Sequence, residues 1–184
     1  IRDRKSSEAA LQLVESAGAA AQIWKTGHSH MKRRMKELEA PLAGEMSGHI
    51  FIADDYLGFD DAIYAAVRVI TQMVKGGQSI TEFMDSLPEQ HATPELRIDC
   101  PDTVKFDSME RIRAHVLSGH DAADVNSIDG VRVRSGDGWW LIRASNTEAA
   151  LVARAEAADR TALDRLLGNI ETTLAAAGLD WKRP

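Results

Sequence analysis

A short loop with two glycines, Gly44-Glu45-Met46-Ser47-Gly48-His49, carries the first set of side chains that could do chemistry. Glu45 and Ser47 are two residues apart, so in an extended loop their side chains point to the same side. A carboxylate that accepts hydrogen bonds from neighbouring hydroxyls makes strong, directional contacts. The pair is therefore a candidate for holding two adjacent sugar hydroxyls. The alternative is an ordinary turn whose polar residues satisfy local backbone groups.

A second candidate site is the stretch Arg143-Ala144-Ser145-Asn146-Thr147, which follows an apolar strand pattern. Its small and polar residues can offer hydroxyls, an amide and backbone N–H groups as a nest for an anion. The Arg143 guanidinium can grip a phosphate with two hydrogen bonds, and Arg154 can bring a second positive charge. Glu148 would oppose binding unless it points away or orients an arginine. The alternative is a polar turn with an exposed Arg143.

A third stretch, Lys25-Thr26-Gly27-His28-Ser29-His30, runs into a basic segment of the chain. N–H groups at the start of a helix can attract phosphate, although a run of charges is more often a solvated face. His28 and His30 hint at a metal. A second cluster of ligands at the usual spacing is missing from the sequence, so we predict no structural zinc site.

The elements that position these residues follow from their periodicity. Helices are predicted at 28–38, 59–74, 107–117 and 161–176, and strands at 20–24, 41–44, 49–52, 95–99, 131–134, 139–144 and 150–157. Strands and helices alternate in the first half, which predicts an α/β domain with part of a three-layer mixed sheet. The second half predicts a small α+β domain with an antiparallel sheet and helices on one face. We place the domains at 1–87 and 88–184.

Composition restricts the class of protein. The chain of 184 residues is 44% hydrophobic and 27% charged, which is typical of a folded protein. A net charge of −6 argues against a nucleic-acid partner. No apolar run approaches the roughly 18 residues that a membrane span requires, so we predict no membrane partner. The single cysteine, Cys100, predicts a reducing, cytoplasmic setting. The first residue is Ile1 rather than Met, from which we expect a fragment or a processed product.

Taken together, these segments resemble the α-D-phosphohexomutase family, in particular its phosphomannomutase/phosphoglucomutase members. The resemblance rests on an ordered set of motifs rather than on one pattern. The set comprises Lys25-Thr26-Gly27-His28-Ser29, Gly44 to His49, Gly58-Phe59-Asp60-Asp61, Asp129-Gly130-Val131-Arg132-Val133, Gly138-Trp139 and Arg143 to Thr147.

The resemblance implies a role for each candidate residue. Members have four domains, and this chain corresponds to the later part of the third domain and to the fourth. Glu45, Ser47 and His28 correspond to residues that contact the sugar, and His49 and Lys5 to residues at the reacting centre. In the family, one loop holds the phosphate that is not transferred. Its residues correspond to Arg143, Ser145, Asn146, Thr147 and Arg154.

The resemblance also implies the reaction, which interconverts hexose 1-phosphate and hexose 6-phosphate. The phosphoserine loop and the Mg²⁺ loop belong to the two earlier domains, so we expect this chain to bind no cofactor and to be inactive alone. Its expected partners are a hexose phosphate and the missing N-terminal domains. The hypothesis requires the loop near residue 46 and the anion cradle near residue 145 to face one cleft.

Two other interpretations remain open. The chain can be a stand-alone, non-catalytic module that binds sugar phosphates, or a structural domain whose site has decayed. A sheet that lacks its first strands also exposes an edge and an apolar face, from which we expect self-association or marginal stability.

Overall fold

The structure is a computed structural model and describes residues 1–183. It separates into two compact units, Ile1–Pro88 and a second unit that begins at Glu89. No helix within residues 1–183 combines the length and the apolar character that crossing a bilayer demands.

The first unit is built around a small mixed sheet. Its strands lie in the order β2-β1-β3-β4, with β1 parallel to β2 and β3, and with β3 antiparallel to β4. This agrees with the predicted α/β class. In chain order the elements are β1 (Arg2–Asp3), α1 (Glu8–Ser16), β2 (Ile23–Trp24), α2 (His28–Leu38), β3 (Leu42–Gly44), β4 (Ile50–Ile52), α3 (Ala62–Gly76) and α4 (Ile80–Asp85).

Helix α2 packs on one face of this sheet. Its apolar residues Met31 and Met35 are four apart, so they share one side of the helix. Both are buried against Ala43 of β3 and Phe51 of β4. The helix starts directly after Gly27, whose φ of 124° is a conformation that glycine adopts without strain. The packing fixes His28, the first residue of α2, at the end of the sheet.

Helix α3 has the predicted periodicity, but its apolar stripe is exposed in this chain. The exposed fractions of Ile63, Val67, Ile70 and Val74 are 81%, 53%, 59% and 79%. Asp61 caps the start of the helix by accepting the Tyr64 N–H. Because the cap and the spacing both favour a helix, the element forms even though this face has no apolar cover within residues 1–183.

The second unit has an antiparallel sheet in the order β5-β10-β9-β8-β7, and β6 also pairs with β10. The elements are β5 (His91–Ala92), β6 (Leu96–Asp99), α5 (Asp102–Gly119), a 3₁₀ turn at Ala122–Asp124, β7 (Val125–Asn126), β8 (Val131–Ser135), β9 (Gly138–Ala144), β10 (Ala150–Ala157) and α6 (Arg160–Ala176).

One face of this sheet forms the core with α5 and α6. Trp140 and Ile142 point into it and pack with Ile112 of α5 and Leu166 of α6. Because side chains alternate along a strand, Trp139, Leu141 and Arg143 lie on the opposite face. The predicted α+β arrangement, with helices on one face of an antiparallel sheet, is confirmed.

The differences from prediction concern short elements and helix starts. The two-residue strands β1, β5 and β7 carry no periodic signal, and we did not predict them. Helix α5 starts at Asp102 instead of near residue 107. Its first turn contains Lys105, which becomes important for the anion loop.

Candidate functional site

The Gly44–His49 loop is the tip of a hairpin between β3 and β4. Two backbone hydrogen bonds close it, from the Glu45 N–H to the His49 carbonyl at 2.9 Å and from the Gly48 N–H to the Glu45 carbonyl at 2.9 Å. Gly48 has a φ of 89°, which favours glycine at this position. The loop is therefore a defined turn that fixes the starting point of each side chain.

The structure brings Glu45 and Ser47 to the same side of this loop, as their spacing predicts. The Ser47 hydroxyl donates to Glu45 Oε2 at 3.3 Å. The other carboxylate oxygen, Oε1, accepts the Gly27 N–H at 2.7 Å. Glu45 is thus held by the start of α2, and Oε2 keeps lone pairs for further hydroxyl donors. One oxygen of the Glu45 carboxylate therefore makes a structural hydrogen bond, which the sequence did not indicate.

Asp3 is a site residue that sequence reasoning missed. It is completely buried at the end of β1. Its carboxylate accepts the hydroxyls of Ser6 and Thr26 at 2.5 and 3.2 Å, and the Met46 N–H at 3.2 Å. One carboxylate therefore ties together the segments that follow β1, β2 and β3. The strand is only two residues long, so no pattern in the sequence marked Asp3 as buried.

His28 and His49 lie side by side next to a carboxylate. Their ring centroids are 4.4 Å apart, and His28 also contacts the ring of Phe51 edge-on at 5.6 Å. Asp60 Oδ2 is 2.7 Å from His49 Nδ1 and 3.5 Å from His28 Nε2. A carboxylate at Nδ1 favours the tautomer that has its proton there, which leaves Nε2 of His49 as a proton acceptor.

The neighbouring Asp61 has a separate task. Its carboxylate accepts the Tyr56 hydroxyl at 2.7 Å and the Tyr64 N–H at 2.9 Å. The hydrogen bond from Tyr56 is the main cause that lowers the pKa of Asp61 below its usual value. Only Asp60 of the acidic pair therefore faces the two histidines. The sequence contained this pair as a motif but did not reveal which member would do so.

Lys5 lies just after β1 and is largely buried, with 9% of its surface exposed. The place at the reacting centre that the resemblance implies for Lys5 stays a prediction.

In the second unit, Arg143 is oriented by Asp129. The side chain of Arg143 is 8% exposed, and its Nε donates to Asp129 Oδ2 at 3.0 Å. Its Nη2 is buried and has no hydrogen-bond partner within residues 1–183. A buried guanidinium N–H that lacks an acceptor is costly. An acceptor that reaches this atom, such as an oxygen of an anion, would remove this cost.

Gly130 explains how Asp129 comes so close to Arg143. Its φ is 77°, and a Cβ at this position would lie 2.4 Å from the Ile142 carbonyl oxygen and 2.7 Å from the Arg143 Cα. Only glycine allows the two backbones to approach in this way.

The loop from Ser145 to Glu148 is more closed than the predicted nest of free N–H groups. The Ser145 hydroxyl oxygen accepts the N–H groups of Thr147 at 3.4 Å and Glu148 at 3.2 Å. The Glu148 bond is at the long end of the usual range and the Thr147 bond is longer still, so these donors can turn to a stronger acceptor. Asn146 and Thr147 are exposed, and Ser145 is buried.

Lys105 holds this loop through hydrogen bonds to its backbone. Its Nζ donates to the backbone carbonyls of Ser145 at 3.0 Å and Glu148 at 2.9 Å. Lys105 precedes the loop by 40 residues, and we did not predict its role. The Glu148 carboxylate pairs with Arg97. The positive charge of Arg97 therefore offsets the negative charge of Glu148 beside the loop.

Arg154 lies on the same face of the sheet as Arg143. Arg143 pairs with Val152 across the β9–β10 ladder, so Arg154 is its diagonal neighbour. Such neighbours are about 7–8 Å apart, within reach of long side chains. Arg154 Nη2 is also 3.9 Å from Glu156 Oε2. Two guanidinium groups therefore share one side of the sheet near the end of β9.

Each unit thus gathers the residues predicted for it. The first unit brings Glu45, Ser47, His28 and His49 to one end of its sheet, and adds Asp60 and Asp3. The second unit brings Arg143 and Arg154 to one face of its sheet beside the Ser145–Glu148 loop, and adds Asp129 and Lys105. The arrangement in the first unit can bind hydroxyl groups and exchange a proton with them. The arrangement in the second unit can hold an anion.

Comparison with protein families matches both units. Residues 1–91 match the model of phosphoglucomutase/phosphomannomutase α/β/α domain III. Residues 95–172 match the model of the phosphoglucomutase/phosphomannomutase C-terminal domain.

Known proteins agree over nearly the whole chain. A phosphomannomutase/phosphoglucomutase of Pseudomonas putida is 41% identical over 174 residues, which covers 95% of this chain and 37% of the relative. A phosphoglucomutase of Neisseria gonorrhoeae is 36% identical, with coverage of 95% and 38%. This chain therefore spans less than two-fifths of the length of these relatives.

Solved structures share the fold. A phosphoglucomutase/phosphomannomutase family protein from Burkholderia thailandensis superposes with a TM-score of 0.86 at 34% identity, covering 97% of this chain and 38% of that one. An N-acetylphosphoglucosamine mutase of Aspergillus fumigatus has a TM-score of 0.64 at 13% identity, covering 96% and 38%, which shows a shared fold alone. The two domain matches together with the ordered site motifs show that this chain belongs to the phosphoglucomutase/phosphomannomutase family, in which it matches domain III and the C-terminal domain.

Proposed function

We propose that this chain supplies the sugar and phosphate recognition of an enzyme that interconverts hexose 1-phosphate and hexose 6-phosphate. Relatives named phosphomannomutase/phosphoglucomutase support this proposal. The observation that carries it is the Arg143 Nη2, a buried donor without an acceptor next to a loop of small polar residues. A phosphate oxygen of the substrate can supply the acceptor that this atom lacks within residues 1–183.

The phosphate side of the proposal assigns the non-transferring phosphate to Arg143, Ser145, Asn146, Thr147 and Arg154. Asp129 keeps the Arg143 guanidinium in a fixed plane through its Nε, so that its other donors are presented together. Thr147 and Glu148 N–H groups exchange their long bonds to Ser145 for shorter bonds to phosphate oxygens. Arg154 adds charge from the neighbouring strand.

The sugar side of the proposal assigns hydroxyl contacts to Glu45, Ser47 and His28. Glu45 Oε2 accepts from a sugar hydroxyl, and the Ser47 hydroxyl beside it donates or accepts. His49 takes or returns the proton of the reacting hydroxyl at Nε2, while Asp60 stabilises the imidazolium that forms. Lys5 stabilises negative charge at the transferred phosphate. Two recognition points, hydroxyls and a distal phosphate, allow the sugar to bind in either direction.

The phosphoryl transfer itself requires groups that we assign to other domains. In the family, Mg²⁺ polarises the phosphate oxygens. Within residues 1–183 the group of side chains suited to a metal is His28, His49 and Asp60. Two imidazoles and one carboxylate do not suit Mg²⁺, which prefers oxygen ligands in octahedral geometry. We therefore assign the ligands of Mg²⁺ to other domains as part of this proposal.

The test is a binding measurement on the 184-residue chain with glucose 6-phosphate and mannose 6-phosphate. Arg143→Ala should weaken binding by about 1.5–3 kcal/mol, the range for hydrogen bonds to charged groups. Arg113→Ala, which removes an exposed arginine of α5, is the matched control. Equal affinity of the Arg143→Ala variant and the unchanged chain would support a structural domain with a decayed site.

Activity provides a second test. The chain alone should not convert glucose 1-phosphate in the presence of magnesium, whereas the product of the full reading frame should. Conversion by the chain alone would contradict our assignment of the phosphoserine to another domain.

The competing proposal is a stand-alone module that binds sugar phosphates without catalysis. It shares the same binding residues, so binding alone does not separate the two. The reading frame upstream of Ile1 does. A Ser-His loop and an Asp-x-Asp-x-Asp segment there favour the enzyme, and a start codon directly before Ile1 favours the module.

The partners and the compartment are also proposals. We propose a hexose phosphate and the N-terminal domains of the same protein as partners, with self-association when these domains are absent. The relatives extend well beyond the matched region, which supports the proposal that N-terminal domains are partners of this chain. A cytoplasmic setting is supported by Cys100, a buried free thiol.

A further inference from the structure

The cluster of His28, His49 and Asp60 has a donor set that suits a transition-metal ion. One ligand atom of each residue lies within 4.8 Å of the others. We propose that these residues bind a divalent transition-metal ion such as Zn²⁺ through two nitrogens and one oxygen, with a fourth position open to water. Two histidines and a carboxylate are a common protein ligand set for zinc in sites that keep an open position.

Two of the three distances between ligand atoms are close to those that a bound ion requires, and the third is at most 4.8 Å. Metal–ligand bonds of about 2.0–2.2 Å in tetrahedral geometry put ligand atoms about 3.3–3.6 Å apart. His28 Nε2 and Asp60 Oδ2 are already 3.5 Å apart. His49 Nδ1 and Asp60 Oδ2 are 2.7 Å apart, so this hydrogen bond must open by about 0.6 Å. The proton of the His49 ring then resides on Nε2, and Nδ1 binds the ion.

Backbone structure holds all three ligands in place. His28 is the first residue of α2, and His49 directly precedes β4. Asp60 is held by a backbone bridge to Phe51, whose ring also contacts that of His28. The ligands come from three separate stretches, and each is fixed by an element that does not depend on the ion. Such preorganisation lowers the entropic cost of binding.

The cluster is also open to solvent. The side chains of His28 and His49 are 46% and 42% exposed, and that of Asp60 is 24% exposed. An ion can therefore enter, and a water molecule can complete its coordination. His28 and His30 alone do not form this cluster. The ligands that fold next to His28 are His49 and Asp60, which are 21 and 32 residues further along the chain.

Occupation by a metal ion has a functional consequence, which rests on the proposed function. The ion takes the nitrogen of His28 assigned to a sugar hydroxyl and removes Asp60 from its role as the partner of His49. A bound transition metal and a hexose phosphate therefore exclude each other. The site makes the sugar-binding end of the first unit sensitive to free zinc.

The binding test uses the 184-residue chain without a histidine tag. Co²⁺ is added after treatment with a chelator, and its visible absorption bands report low-coordinate binding; Zn²⁺ is followed by calorimetry. We expect one ion per chain. His28→Gln and Asp60→Asn should each reduce affinity at least tenfold, since even outer-shell changes cost about 10–100-fold. Circular dichroism verifies that the variants fold.

His30→Gln is the matched control because His30 lies in the same helical turn and is exposed. It should bind as the unchanged chain does. Absence of saturable binding would overturn the proposal. So would binding that survives in both His28→Gln and Asp60→Asn, since the ion would then be held elsewhere.

A displacement experiment tests the consequence separately. Glucose 6-phosphate should remove the Co²⁺ bands from the loaded chain, and Arg143→Ala should weaken this effect. Displacement that does not depend on Arg143 reflects chelation of Co²⁺ in solution and contradicts mutual exclusion. One-to-one metal binding without any displacement leaves the metal site standing and counts against His28 as a sugar contact.

Discussion

The ammonium group of Lys105 lies 3.0 Å from the backbone carbonyl oxygen of Ser145, in the loop assigned to phosphate. The same group is 2.9 Å from the Glu148 carbonyl and 2.5 Å from Asp102 Oδ1. Lys105 is buried, with 4% of its surface exposed. It therefore acts as a positioning residue, which holds both ends of the loop by their carbonyls while the side chains of Asn146 and Thr147 face solvent.

Replacing Lys105 with Met should loosen this loop. The change removes one donor from two carbonyls and keeps most of the side-chain volume. We expect phosphate-ester affinity to fall by about 0.5–1.5 kcal/mol, or about two- to tenfold. Amide hydrogen exchange at residues 146–148 should become faster. A loss of overall stability would speed exchange throughout the chain, so a change confined to this loop indicates a positioning role.

Lys75→Met, at an exposed position in the last turn of α3, is the control for loss of a positive charge. Calorimetry with glucose 6-phosphate gives the affinities. An unchanged exchange rate in the loop of the Lys105→Met variant would contradict a positioning role.

Lys105 illustrates which parts of the molecule can be predicted from sequence. The fold class followed from periodicity, because helices such as α2 and α6 and strands such as β9 and β10 have clear apolar patterns. Short strands such as β1 form only because neighbouring segments provide hydrogen-bond partners, and no local pattern indicates them.

The candidate site shows the same division. Residues inside a compact motif, such as Glu45 and Arg143, could be proposed as site residues from type and spacing. Their supports, such as Asp3, Asp129 and Lys105, come from other segments and meet the site only after folding. Sequence spacing carries no information on such contacts, so the supporting residues could not be predicted.

Glu45→Gln should separate recognition from support of the fold. The amide oxygen of Gln can still accept the Gly27 N–H, so the loop should keep its shape. The loss of charge weakens bonds to sugar hydroxyls, and we expect hexose-phosphate affinity to fall by about 1 kcal/mol, roughly fivefold. Glu39→Gln, at an exposed position after α2, is the control. If only Glu45→Ala, and not Glu45→Gln, weakens binding, Glu45 serves the fold alone.

The pair of Asp137 and Arg165 predicts a pH dependence of stability. Arg165 Nη2 is 2.5 Å from Asp137 Oδ1, and this hydrogen bond is the main cause that lowers the pKa of Asp137 below its usual value of 3.8. Because the pKa of the folded state is the lower one, the pair stabilises the fold above pH 3.8 and loses this contribution as the pH falls below that value.

Asp137→Asn should therefore lower the free energy of unfolding at pH 7 and flatten its decline with acid. The difference from the unchanged chain should shrink as the pH falls from about 5 to about 3. Urea unfolding across this range provides the measurement, and Asp164→Asn, an exposed carboxylate on the same helix as Arg165, is the control. A difference that stays constant with pH would show that the carboxylate contributes through something other than its charge.

The exposed stripe on α3 predicts that the isolated chain associates with itself. Ile63, Val67, Ile70 and Val74 are spaced to lie on one side of the helix, and each is more than half exposed. A separate groove lies on the opposite side of α3; it has a volume of about 600 Å³, and its walls include Leu42, Ile52 and Phe83. Apolar patches of this kind usually mark an interaction surface.

Light scattering over a concentration series should show oligomers of the 184-residue chain. The double variant Ile63→Glu and Val74→Glu should shift it towards the monomer, because charges placed on the stripe cannot be buried without a partner. Phe106→Glu is the matched control, since Phe106 is an isolated apolar residue of α5 that is 69% exposed. A monomer at all concentrations would contradict self-association, and an equal effect of Phe106→Glu would show that general solubility rather than the α3 stripe controls assembly.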